Sequence, residues 1–186
     1  MSDIINQKKK LRKLIRERLS SLSSMDRKNY SNIIFNKLIV RPEYLNADKL
    51  FVYISFDTEV QTTDIIMKAL EDNKRVFVPR IKGQFMDMVE ISSITKFVMN
   101  DYGIVEPDVH ECELYDGDVD VVIMPLLGFD RNNSRLGRGG GYYDKFLARK
   151  NYSLIAIAYS VQELENIITE KHDVKLDIII TEKEVI

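Results

Sequence analysis

Apolar positions change their period several times along this chain. From about residue 4 to residue 22 they recur at threes and fours, at Leu11, Leu14, Ile15, Leu19 and Leu22, which predicts an amphipathic helix. Ser24 offers an N-cap for a second helix that buries Tyr30, Ile33, Ile34 and Leu38 and ends before Pro42. Short β-rich runs then alternate with helical stretches. Strands are predicted over 50–54, 75–79, 85–91, 119–124, 154–159 and 178–180, and helices over 64–73, 142–150 and 162–168. The run 119–124 is apolar almost throughout and is stopped by Pro125, as in a strand covered on both faces. This alternation predicts an α/β fold, a three-layer and mostly parallel sheet with helices on both faces. Sites in such sheets lie beyond the carboxyl ends of strands.

Composition narrows the class. The 186 residues are 45% hydrophobic and 30% charged, enough for one domain, 1–186, with a real core and a pocket. A net charge of -2 gives no broad positive footprint for nucleic acid or an anionic membrane. Cys112 is the only cysteine, and with His110 and His172 the only histidines, neither an internal disulfide nor a cysteine-rich zinc site can be built. The charged start MSDIINQKKKLRKLIRERL lacks the apolar centre of a secretory signal, and no apolar run approaches the ~18 residues of a membrane span. A soluble cytoplasmic protein is expected, with no nucleic-acid or membrane partner.

The chemistry concentrates in one segment. After the buried run ending at Met124 comes a long loop with a polar turn at 131–134, then Arg135, Leu136, Gly137, Arg138, Gly139, Gly140, Gly141, Tyr142, Tyr143 and Asp144, where a helix opens. Consecutive glycines let backbone N–H groups approach an anion, and Arg135 and Arg138 add forked donors suited to phosphate. The segment lacks the Lys-Ser or Lys-Thr of a Walker loop and the spacing of a dinucleotide fingerprint. A merely flexible or tightly packed loop is the competing reading, and the interleaved arginines weigh against it. Asp144 suits a hard oxygen ligand for Mg²⁺, which takes one or two carboxylates beside phosphate oxygens. Of Tyr142 and Tyr143, one is expected in the core and one on a pocket wall.

Two further places draw attention. Lys8 shares a helix face with Ile15 and Leu19, and Arg12 borders it, so both can reach a shared anion site instead of snorkelling. Glu59 lies in the loop leaving the 50–54 run, where an open-sheet pocket is expected, and Asp177 stands just before the last strand.

Four ordered segments together resemble the 5-formyltetrahydrofolate cyclo-ligase family, also called methenyltetrahydrofolate synthetases: Lys8-x-x-Leu11-Arg12, the string at 102–107, residues 125–144 with RLGRGGGYYD, and His172-Asp173-x-x-x-Asp177. Asn133-Ser134 stands where the family often has glycine, and Ile168 where it often has proline. The resemblance implies a fold related to the sugar-phosphate isomerase and CoA-transferase group. It implies ATP-dependent closure of 5-formyltetrahydrofolate to 5,10-methenyltetrahydrofolate with Mg²⁺, by a monomer or weak dimer. ATP would meet Lys8, Arg12 and the stretch Arg135, Leu136, Gly137, Arg138, Gly139, Gly140, Gly141, Tyr142 and Tyr143. The folate would meet Ile54, Glu59, Arg138, Gly139, Gly140, Gly141 and Tyr142, with Arg138 and Tyr142 at the reacting groups and Asp144 and Asp177 on the metal. The alternative is a non-catalytic folate- or nucleotide-binding module that regulates a partner enzyme.

Overall fold

The computed structural model describes residues 2–56, 58–83, 85–99, 105–108, 113–147, 152–170 and 173–186. Residues 102–104 of the second motif, His110, Cys112, positions 148–150 of the expected fourth helix and His172 lie outside them.

Helix α1 spans Ser2–Ser20 and α2 spans Ser24–Leu38. The N-cap of α2 is Ser23 instead of Ser24, because a capping box decides the start. Ser23 Oγ accepts from Asp26 N at 3.0 Å, and Asp26 Oδ2 accepts from Ser23 N at 3.2 Å. Ile33 turns outward, 41% exposed, while Ile34 and Leu38 are fully buried. Pro42 ends nothing; it opens a short helix, α3 (Pro42–Asn46), from an early position that its missing N–H and fixed φ favour.

Next come β1 (Lys49–Val52), α4 (Thr63–Glu71), β2 (Arg75–Lys82), β3 (Phe85–Ile91), β4 (Phe97–Met99), β5 (Val105–Pro107), β6 (Leu114–Tyr115) and β7 (Val121–Met124). Then follow β8 (Gly128–Phe129), β9 (Arg135–Leu136), α5 (Tyr142–Leu147), β10 (Ser153–Ile157), a 3-10 turn (Ser160–Gln162) and β11 (Ile178–Ile180). The main sheet has seven strands in the order β11-β10-β7-β1-β2-β3-β6. The pairs from β11 to β2 are parallel, and β3 and β6 join antiparallel.

The period of two explains why the central runs are apolar throughout. Leu50, Val52, Val76, Val78, Val121, Ile123, Ile155 and Ile157 bury into one core with Ile15, Leu19, Ile34, Leu38 and Ile65 from the helices. Phe51, Phe77, Val122, Met124, Leu154 and Ala156 bury into a second core on the opposite face with Leu147, and Tyr143 and Phe146 of α5 pack against it. Parallel pairing also sets the exits of β1, β7 and β10 side by side at one edge.

Two further expectations change. The loop after β7 contains the β8–β9 hairpin, whose buried Asp130 accepts from the amides of Asn132 and Ser134 at 2.9 and 3.0 Å. Asn133 takes φ 60°, a left-handed conformation that asparagine tolerates, so it does the work of a turn glycine. The expected 162–168 helix is absent: a single 3-10 turn ends at Gln162 and the chain then runs extended. Two of its amides bond to the hairpin, Leu164 N to Phe129 O at 2.7 Å and Ile167 N to Asp130 Oδ2 at 2.9 Å. Gln162 Nε2 meanwhile donates to Leu126 O and Leu127 O from a buried position.

Candidate active site

The glycine-rich loop lies beyond the carboxyl end of β7, between β9 and α5. Gly139 takes φ 107°, where a side chain would be strained, and a Cβ there would stand 3.6 Å from the guanidinium carbon of Arg12. A Cβ on Gly140 would fall 2.8 Å from the Tyr142 ring, so the loop can lie flat on that ring only because the position is bare. Arg12 reaches across from α1, its Nε donating to Gly137 O at 2.9 Å. Among the described residues Arg12 has no carboxylate partner, and burial followed by the charge of Arg16 holds its guanidinium below the usual arginine value. A desolvated cation with only a carbonyl to answer it favours an anion.

On its other side the loop is joined to the exit of β1. Arg138 Nε and Nη2 lie 3.0 and 2.9 Å from Glu59 Oε1, while Glu59 Oε2 accepts from Phe56 N at 3.0 Å. The Glu59 side chain is 12% exposed and that of Arg138 45%, so the carboxylate is the fixed partner and the arginine the movable one. Tyr142 is half-buried and donates to Gly83 O at 3.2 Å, spanning from the loop to the β2–β3 turn. Tyr143 packs against the second core, where burial and then the charge of Glu59 push its phenol up and keep it protonated. The core residue is therefore Tyr143 and the wall residue Tyr142. Ile54 packs half-buried against the first core at the exit of β1.

The remaining expected residues have different partners. Lys8 and Arg12 share the inner face of α1 but have different partners, Lys8 Nζ lying 3.2 Å from both Glu170 Oε2 and Asp173 Oδ2. Arg135 turns inward with a 5% exposed side chain, ion-paired to Asp144 and donating to Val174 O. Leu136 is buried in the first core. Asp177, at the amino end of β11, accepts from Leu154 N at 2.7 Å through Oδ2. Among the described residues no group of three or more histidine, cysteine, aspartate or glutamate side chains is gathered for a metal. The donor set suits Mg²⁺ in its usual nucleotide-borne form, in which one or two carboxylates sit beside phosphate oxygens, and Asp144 is a candidate carboxylate.

Sequence reasoning missed Tyr53 and Tyr159, which hold the backbone around Glu59 and carry no local motif. Tyr159 lies just past β10, and its place beyond a carboxyl edge was the one available signal.

A glycine-rich turn beside two guanidiniums, beyond the carboxyl edge of a mostly parallel sheet, defines an α/β protein with a candidate site for anionic small molecules. The model of the 5-formyltetrahydrofolate cyclo-ligase family matches residues 4–182. The 5-formyltetrahydrofolate cyclo-ligase of Mus musculus is 35% identical over 190 residues, covering 94% of this chain and 93% of that protein. That of Escherichia coli K12 is 27% identical, covering 92% and 98%. The solved 5,10-methenyltetrahydrofolate synthetase of Aquifex aeolicus superposes with a TM-score of 0.84 at 31% identity, over 96% of this chain and 91% of that one. This chain belongs to the 5-formyltetrahydrofolate cyclo-ligase family. Among the described residues no helix is long and apolar enough to cross a membrane.

Proposed function

We propose that this protein uses ATP to close 5-formyltetrahydrofolate into 5,10-methenyltetrahydrofolate, releasing ADP and phosphate. The observation that carries this reading is the loop 137–141 set between Arg12 and the Arg138–Glu59 pair, within a chain that matches the family almost end to end. Phosphate at the loop and folate at Glu59 then meet at Arg138.

A formamide carbon is a poor electrophile because nitrogen donates into the carbonyl. In the proposed reaction the formyl oxygen attacks the γ-phosphorus, the bond from γ-phosphorus to the bridging oxygen breaks, and ADP leaves. N10 then attacks the formyl carbon and loses its proton, and the carbon–oxygen bond breaks to release phosphate. The protein's task is to align the two substrates and offset charge that spreads over the phosphoryl oxygens. Arg12 and the Gly139–Gly141 backbone would receive the phosphates. Arg138 would leave Glu59 for the γ-phosphoryl group, and Tyr142 would wall the meeting point with its phenol.

Mg²⁺, carried in with ATP, supplies further charge neutralisation at the phosphates. Asp144 is the carboxylate we assign to it, with Arg135 holding that side chain in place. Asp177 is assigned as a second carboxylate, alongside its bond to the Leu154 amide. Lys8 would exchange Glu170 and Asp173 for phosphate. We assign the reaction to a monomer or weak dimer in the cytoplasm.

Absorbance of the methenyl product tests the proposal directly. Chromophore growth on adding 5-formyltetrahydrofolate, dependent on ATP and Mg²⁺, is expected. No turnover by folded protein overturns it, and tight folate binding indifferent to ATP and metal would point instead to a regulatory module.

A further inference from the structure

We infer that Tyr159 is a positioning residue for the Glu59 carboxylate, acting through a hydrogen-bonded circuit that fixes the backbone of residues 59–61. The inference rests on the reading that Glu59 faces the folate.

Three consecutive residues of this loop are held by side chains from three other places in the fold. Glu59 O accepts from Tyr159 Oη at 3.2 Å, Val60 O accepts from Tyr53 Oη at 2.7 Å, and Gln61 N donates to Ser31 Oγ at 3.0 Å. Ser31 Oγ and Tyr159 Oη are 2.9 Å apart, and Arg27 O lies 3.3 Å from the same phenol. One proton arrangement satisfies the path: Gln61 N–H to Ser31 Oγ, Ser31 O–H to Tyr159 Oη, and Tyr159 O–H back to Glu59 O. The circuit begins and ends on the loop that carries Glu59, so each bond polarises the next.

Both phenols are permanent donors. Tyr53 is 2% and Tyr159 0% exposed, and burial pushes each hydroxyl above the ordinary tyrosine value. Ser31 is 5% exposed, so the joint is largely shielded from bulk water. With its backbone held from beneath and Oε2 tied to Phe56 N, Glu59 presents Oε1 to Arg138. Tyr159 lies just past β10, Ser31 on α2 and Glu59 at the exit of β1, so the circuit joins the first core to the site.

Steady-state kinetics of Tyr159→Phe, Ser31→Ala and Glu59→Gln, with thermal melts, test this. Tyr159→Phe is expected to raise KM for 5-formyltetrahydrofolate about 10-fold while KM for ATP stays within about two-fold, because a small misplacement of one contact group has that effect. In a Glu59→Gln background Tyr159→Phe should add almost nothing, a non-additivity that a general loss of stability does not produce. Should Tyr159→Phe fold poorly, Ser31→Ala interrupts the same circuit with a smaller change and carries the test. If Glu59→Gln leaves the folate KM unmoved, the reading of Glu59 fails and this inference with it. If Glu59→Gln raises that KM while neither circuit variant does, or if the effects simply add, the inference alone is overturned.

Discussion

Arg138 presents two guanidinium nitrogens to a single oxygen of Glu59, 79 residues away in sequence, and so ties the loop beyond β7 to the loop beyond β1. With the arginine 45% exposed and the carboxylate 12%, the pair opens by moving the arginine. Arg138→Ala should therefore lower kcat/KM for ATP by about 100-fold, the scale of a lost charge-assisted contact to phosphoryl oxygens. Arg75→Ala, at the amino end of β2, should change it by less than about two-fold. Equal effects in initial-rate measurements would remove the role assigned to Arg138.

Asp144 answers Arg135, whose side chain is almost wholly buried. Asp144→Asn leaves that guanidinium with Val174 O and a weaker acceptor, which should cost about 1–2 kcal/mol of stability, visible by chemical denaturation. The same variant should lose Mg²⁺-dependent ATP binding by calorimetry. Stability loss with intact metal dependence would make Asp144 purely structural.

Asp177 separates its two roles by substitution. Asp177→Asn keeps an acceptor for the Leu154 amide, so folding should be nearly unchanged while the Mg²⁺ concentration for half-maximal rate rises. Asp177→Ala should in addition lose about 1 kcal/mol. An unmoved Mg²⁺ requirement in both would confine Asp177 to the strand start.

Lys8 is shared between Glu170 and Asp173, both of which compete with phosphate for it. Lys8→Ala should raise KM for ATP, and Glu170→Gln should lower it by about two- to threefold, consistent with one half-exposed competitor. A rise in KM with Glu170→Gln would mean that the carboxylate helps to seat the nucleotide.

Glu90 is held below the usual glutamate value of 4.5, chiefly by its hydrogen bonds from Arg75 at 2.8 and 2.6 Å. The unfolded chain takes up this proton at higher pH than the folded one. The stabilisation is thus complete above the unfolded value and disappears as pH falls through the folded value. The melting temperature of the wild type should exceed that of Glu90→Gln at about pH 6, with the gap closing toward about pH 3. A gap independent of pH would mean that packing, not charge, is what the substitution removes.

Much of this architecture is written locally. The runs that became β1, β2, β7, β10 and β11 are apolar at odd and even positions because both faces of the sheet are buried. Gly139 is required by its own φ of 107°, and the inner face of α1 places Lys8 and Arg12 by helical period alone. Such features depend on sterics and periodicity within a few residues, so the strands and the glycine-rich loop could be read from the chain.

What a side chain does once placed was decided in three dimensions. Residues 162–168 have helical spacing, yet the amides of Leu164 and Ile167 are satisfied by Phe129 and Asp130 on a hairpin more than thirty residues away. Arg135 and Arg138 look alike in sequence, but one is buried against Asp144 and the other reaches Glu59 at the surface. Tyr159 meets the Glu59 carbonyl across 100 residues. Buried polar groups must find partners wherever the packed fold puts them, and no local pattern records that choice. The sequence determined by itself that a glycine-rich loop carrying Arg138 would stand beyond a buried strand; tertiary structure alone decided that Arg12 crosses to Gly137 and that Glu59 is held to face Arg138.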